Sequence, residues 1–116
     1  MPCMTGADLR RLALALPEVT EQVTWEVDLT FRVRNKIFAI MGEAGDEASI
    51  KATRDAQAAL VGSDPVTYRV SAYTGRFGWT TVVLGRVDEA ELAELLEDAW
   101  RRTAPKRLVT AYDAGR

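Results

Sequence analysis

Two segments of helical periodicity bracket a middle in which apolar residues recur at every second position, and this order restricts the fold more than any other feature of the chain. Near the start, Leu9, Leu12, Ala13 and Leu16 fall at i, i+3, i+4 and i+7, one apolar stripe of a helix. Thr5 and Asp8 precede it as a Thr-x-x-Asp variant of the capping box, whose side chains satisfy free N–H groups of the first turn. Pro17 ends it, because the residue before a proline is pushed out of the α region. Toward the other end a helix starts at Asp88, where Asp88 and Glu91 suit the cap and the positive dipole end and Arg101 and Arg102 the negative end. Leu92, Leu95, Leu96, Ala99 and Trp100 supply that helix with a core face, and Pro105 stops it. Lys106 to Arg116 carries weak order signals and reads as a tail.

The middle reads as strands. Residues 22–41 form a β-hairpin pattern: Val23, Trp25 and Val27 alternate with polar residues, as do Phe31 and Val33, and Ile37 to Met41 is apolar on both faces. Asn35-Lys36 is a plausible tight turn, since Asn tolerates positive φ. Gly42 to Glu47 is an exposed turn and Ala48 to Ala52 a short strand. Thr53 caps a short helix, Arg54 to Val61, with Gly62 at its C′ position. Ser63-Asp64-Pro65 turns the chain into an alternating strand from Val66 to Ala72. Tyr73 to Gly78 is a glycine-rich loop, and Trp79 to Leu84 is strongly β-prone. The fold class that follows is α+β: a single antiparallel sheet with the N- and C-terminal helices packed on one face and the other face wet. One domain spans residues 1–116, with its core at about 5–108 and a tail at 109–116.

Composition narrows function mainly by exclusion. The 116 residues carry 15 Lys+Arg against 17 Asp+Glu, a formal net charge of −2, so a wholly basic nucleic-acid coat is excluded and a local basic patch is not. There is no histidine, which removes His-based acid–base catalysis, Ser-His-Asp and Cys-His triads and His-ligated metals. Cys3 is the single cysteine and has no base to activate it. No catalytic constellation, cofactor motif or metal pattern stands out; Glu43, Asp46 and Glu47 do not match a calcium loop. No basic segment followed by an apolar run opens the chain, and the longest apolar stretch, Leu12 to Leu16, falls far short of a membrane span. The expectation is a cytoplasmic, non-enzymatic monomer.

Period-two bookkeeping assigns side chains to faces. With Phe31, Val33, Ile50, Tyr68 and Val70 turned to the helices, Arg32, Arg34, Lys51 and Arg69 emerge from the solvent side. Lys36, Arg54 and Arg76 lie in turns or at a helix start nearby, while Asp88, Glu89, Glu91, Glu94, Glu97 and Asp98 gather on the last helix. Phosphate contact needs such a local positive field, and stacking on Tyr73, Phe77 or Trp79 adds base affinity. The competing reading is solvation: Arg32, Arg34 and Arg69 pair across strands with Glu26 and Asp28 and keep the face soluble. Gly75-Arg76-Phe77-Gly78 is not a phosphate loop. It is a flexible hairpin loop whose Tyr73, Phe77 and Trp79 offer an alternative protein- or small-ligand-binding surface. Lys106 and Arg107 complement a helix end or extend a cationic rim. Trp25 and Trp100 are expected in the core.

The chain resembles the MmcQ/YjbR family of small bacterial proteins. The resemblance is carried by Leu14-Ala15-Leu16-Pro17-Glu18-Val19-Thr20-Glu21, by Phe31-Arg32-Val33-Arg34-Asn35-Lys36-Ile37-Phe38-Ala39, by Ile50-Lys51-Ala52, by Gly78-Trp79-Thr80-Thr81-Val82 and by Ala104-Pro105-Lys106-Arg107-Leu108. Asn35 stands where the family often has Gly, and Ala52 where a larger apolar residue is common. The resemblance implies a CyaY-like fold, also likened to the "double wing" of a phage transcription factor, and a DNA-binding role on the open sheet face. Iron delivery by an acidic first helix is disfavoured, because that helix offers only Asp8 beside Arg10 and Arg11. Fold likeness does not fix function.

Overall fold

The computed structural model describes residues 4–24, 28–42 and 44–115. Trp25, Glu26, Glu43 and Cys3, and the roles expected of them, lie outside those residues. The elements are α1 (Gly6–Leu14), β1 (Val19–Thr24), β2 (Asp28–Val33), β3 (Lys36–Met41), β4 (Glu47–Ile50), α2 (Arg54–Ser63), β5 (Tyr68–Val70), β6 (Thr80–Val83), α3 (Glu89–Thr103) and α4 (Lys106–Ala114). All strands join one antiparallel sheet in the order β1-β2-β3-β4-β6-β5. The α+β class and the single antiparallel sheet therefore stand.

The caps form as the sequence predicts. Thr5 and Asp8 make both halves of the capping box of α1, Thr53 accepts from the Ala56 amide, and Asp88 accepts from the Glu91 amide. One core lies between sheet and helices. Leu9, Ala13, Leu92, Leu96 and Trp100 from the helices meet Phe31, Val33, Ala39, Ile50, Tyr68 and Val82 from the strands, all fully or almost fully buried. The apolar run in β3 is explained by a bulge. Phe31 pairs with Ala39 but Arg32 with Ile37, leaving Phe38 unopposed. Phe38 and Ala39 are both completely buried, so the extra residue turns two neighbours to the same side.

Several boundaries move. The hairpin becomes a three-strand meander, because Val19–Gln22 already pairs with β2. The tight turn is centred on Arg34-Asn35, with φ of 50° and 67°, one residue earlier than expected. The strand expected at Val66 to Ala72 is paired only over Tyr68–Val70, and Val70, expected in the core, is 54% exposed. Gly62 lies inside α2 rather than after it. The expected tail is a helix: in α4, Leu108, Val109 and Tyr112 pack against the core. Tyr112 stands edge-on to Trp100 at 5.0 Å, and Arg101 pairs with Asp113 at 2.5 Å. No helix among the described residues is long and apolar enough to cross a membrane.

Candidate functional site

Charge is sorted along the strand direction. Lys36, Lys51, Arg54, Arg76, Lys106 and Arg107 make no ion pair among the described residues. All six lie at one end of the sheet. Lys36 follows the β2–β3 turn, Lys51 follows β4, Arg54 opens α2, and Arg76 sits in the β5–β6 loop. Val33 pairs with Lys36, Ile50 with Ala39 and Val70 with Thr80, which puts these connections on the same edge of the strands. Lys106 and Arg107 begin α4 just past the C-terminus of α3. That terminus is tied to the same end by the Trp100 indole N–H, which donates to the Pro17 carbonyl at 3.0 Å.

The β5–β6 loop is braced against the start of α2. The buried Gln57 side chain donates to the carbonyls of Gly75 and Trp79, each at 2.8 Å. Gly78 takes φ of 100°, and a Cβ there would collide with the Ala52 carbonyl oxygen. Gly75 is buried beneath Val70. The loop is held by the Gln57 side chain and by its own backbone hydrogen bonds, and it presents two aromatic rings outward. Tyr73 is 97% exposed at a left-handed φ of 65°, which is costly for an aromatic residue, and Phe77 is 62% exposed with the Arg76 guanidinium 4.8 Å from its ring centroid. Trp79 is half-buried.

The open sheet face is different from the one the alternation suggests. Its registered positions are mostly neutral: Thr20 and Gln22 on β1, Thr30 on β2, Ile37 and Ile40 on β3, Ser49 on β4 and Thr81 on β6. Ser71 links to the Ser49 and Thr81 hydroxyls at 2.6 and 2.9 Å. Of the four cations assigned to this face, Arg32 is there, its Nε donating to the Thr30 hydroxyl at 3.3 Å. Arg34 has moved into the turn and pairs with Glu18 at 2.5 Å. Arg69 is on the face but pairs with Glu47 at 2.5 Å. Lys51 lies just beyond the end of β4. The carboxylates that hold Arg34 and Arg69 are Glu18 and Glu47, not Asp28. Each arginine keeps its partner carboxyl below the ordinary range through the hydrogen bond between them.

The opposite end of the sheet carries acids. Asp28, Asp46, Asp64 and Asp88, none of them in an ion pair among the described residues, lie in or beside its connections, and of the unpaired carboxylates among the described residues only Asp55 sits among the cations. Arg86 is the one unpaired cation at the acidic end among the described residues, and its Nε donates to the Thr67 hydroxyl at 3.0 Å. No group of three or more carboxylate, thiol or imidazole side chains able to hold a metal occurs among the described residues.

A family model described as YjbR matches residues 14–102. The crystal structure of the Deinococcus radiodurans protein DR2400, which carries the family domain DUF419, shares the fold with a TM-score of 0.77 and 25% sequence identity, covering 86% of this chain and 78% of that one. No curated protein matches the chain.

Proposed function

We propose that the chain, which belongs to the YjbR family, is a non-enzymatic DNA-binding module that takes the phosphate backbone at the cationic end of its sheet. The observation that carries this reading is the gathering of Lys36, Lys51, Arg54, Arg76, Lys106 and Arg107 at one end without carboxylate partners among the described residues. A cation already paired offers little to an incoming phosphate, because binding must first displace or share its carboxylate. An unpaired one contributes its full charge and releases a condensed counterion. Arg34 and Arg69 therefore fall outside the contact, and Arg32 adjoins it on the open face. The molecule measures 36 × 32 × 31 Å, so one end covers close to one turn of duplex, about 34 Å. Tyr73 and Phe77, on the braced loop among these cations, supply faces on which unpaired bases stack.

The exposure of the same two rings favours a second reading, a protein- or small-ligand-contact loop containing Tyr73, Phe77 and Trp79. The two separate cleanly by fluorescence anisotropy with labelled duplex and single-stranded DNA. The charge-reversed variant K36E/K51E/R54E/R76E loses binding to both if the phosphate reading holds. Unchanged binding by that variant overturns it. Loss of binding to a protein partner in Tyr73→Ala, with DNA affinity nil in the parent, would favour the second.

A further inference from the structure

A cavity lies on the helical side of the sheet. α3 packs over β3 and β4 while α2 packs over β5. Between the two helices runs a groove of about 550 Å³, within the range of small-molecule sites. Its walls are Ala56, Ala59 and Leu60 from α2 and Leu95 from α3, and its floor is Tyr68 of β5. The alanines leave the space open, since their side chains end at Cβ. The Tyr68 hydroxyl donates to the Glu91 carboxylate, fixing that group at the inner edge.

The polar rim is unbalanced. Arg101 is engaged by Asp113 and Glu97, and Arg102 by Asp98 at 2.9 Å, so both guanidiniums of the rim are already satisfied. Glu91 and Glu94 have no cationic partner among the described residues, and both face the groove at successive turns of α3. They do not form a metal-binding set. An apolar trough with two uncompensated carboxylates on one lip complements a monovalent organic cation: the ammonium lies against Glu91 and Glu94, and a hydrocarbon body lies on Ala56, Ala59, Leu60 and Leu95. We propose that the α2–α3 groove is a binding site for a small primary amine with an alkyl or aryl body. This site does not depend on DNA binding at the cationic end.

The test is an amide-resolved NMR titration of the full chain with phenethylamine, with hydrocinnamate and phenethyl alcohol as probes of the same body but opposite or no charge. Phenethylamine should give saturating shifts confined to residues 56–60, 68 and 91–102, with the other two probes at least about tenfold weaker. Glu94→Gln should weaken the amine several-fold, and Ala59→Phe, which fills the trough from an exposed helix position, should abolish binding while leaving the rest of the spectrum in place. The proposal is overturned by shifts that never saturate, by equal affinity for hydrocinnamate or phenethyl alcohol, or by an Ala59→Phe protein that binds the amine as the parent does.

Discussion

Neutralising Lys51 should change how DNA affinity responds to salt, by an amount the charge layout fixes in advance. Each phosphate neutralised on duplex DNA contributes about −0.9 to the slope of log affinity against log salt. Lys36, Lys51, Arg54 and Arg76 surround the sheet end directly, whereas Lys106 and Arg107 lie on its helical side. Four contacts give a slope of about −3.6, so raising salt from about 50 to about 200 mM should weaken binding on the order of a hundredfold. Lys51→Gln should reduce the slope to about −2.7, and K36Q/K51Q/R54Q/R76Q should bring it near zero. The double variant R69Q/E47Q removes a pair that is neutral as a unit, so its slope should match the parent. Anisotropy titrations at several salt concentrations measure all four slopes, and these surface changes should alter stability by only about 0.5 kcal/mol. A slope unaffected by the quadruple substitution, or moved by R69Q/E47Q as far as by Lys51→Gln, would refute the reasoning that unpaired charge alone selects the contact.

Three further outcomes concern the frame that holds the sites. Gly78→Ala must strain a φ of 100° and meet the Ala52 carbonyl, so its urea midpoint should fall by the equivalent of more than about 1 kcal/mol, whereas Gly62→Ala, a helical position with nothing within 4 Å, should stabilise by roughly 0.4–1 kcal/mol. Gln57→Ala removes the side-chain donor from the Gly75 and Trp79 carbonyls, which keep the Gly78 and Ser71 backbone donors, so the cost should be about 0.5–1.5 kcal/mol per hydrogen bond lost; hydrogen exchange at residues 75–79 should rise more than elsewhere. Burial, reinforced by the Glu91 carboxylate, pushes the Tyr68 phenol above its usual range. The folded state therefore holds that proton more tightly than the unfolded chain, so stability is complete below about pH 10 and falls as pH rises above it. Tyr68→Phe should flatten this alkaline limb in pH-dependent urea titrations, and an unchanged limb would contradict the assignment.

Local rules reached the helices and caps because their signals sit within one turn of chain. The capping box at Thr5 and Asp8 and the start of α3 at Asp88 needed no tertiary information. The α4 helix was missed although Leu108, Val109 and Tyr112 carry helical spacing. Nine residues are marginal as an isolated helix, and this one is secured by tertiary contacts, Tyr112 on Trp100 and Asp113 on Arg101. The slip at Arg34 had a larger effect on function. Two adjacent residues at positive φ form the turn, so assigning it to Asn35-Lys36 kept Arg34 on a strand and counted it with Arg32. Period-two reasoning has no tolerance for such a shift, since one residue exchanges the faces.

The segregation of charge was legible in another way, through the order of connections rather than the faces of strands. Each element from α1 to α3 runs back along its predecessor, so successive connections alternate between the two ends. The connections holding Asn35, Lys51 to Thr53, Ser71 to Trp79 and Ala104-Pro105 fall at one end; those holding Gly42 to Asp46, Asp64 to Thr67 and Leu84 to Asp88 fall at the other. Read that way, Lys36, Lys51, Arg54, Arg76, Lys106 and Arg107 flank these four connections at one end, and Asp46, Glu47, Asp64, Asp88 and Glu89 flank the three at the other. The net charge of −2 hides this because it sums over both ends. A chain with balanced totals can thus present a polyanion with a positive end by placing its charges in alternate connections, with no strand face involved. Moving a cation from one end to the other, as in Lys51→Ser with Asp46→Lys, should therefore weaken DNA binding although the protein becomes less acidic overall. Stronger binding by that variant would mean that total charge, and not its position, governs the affinity.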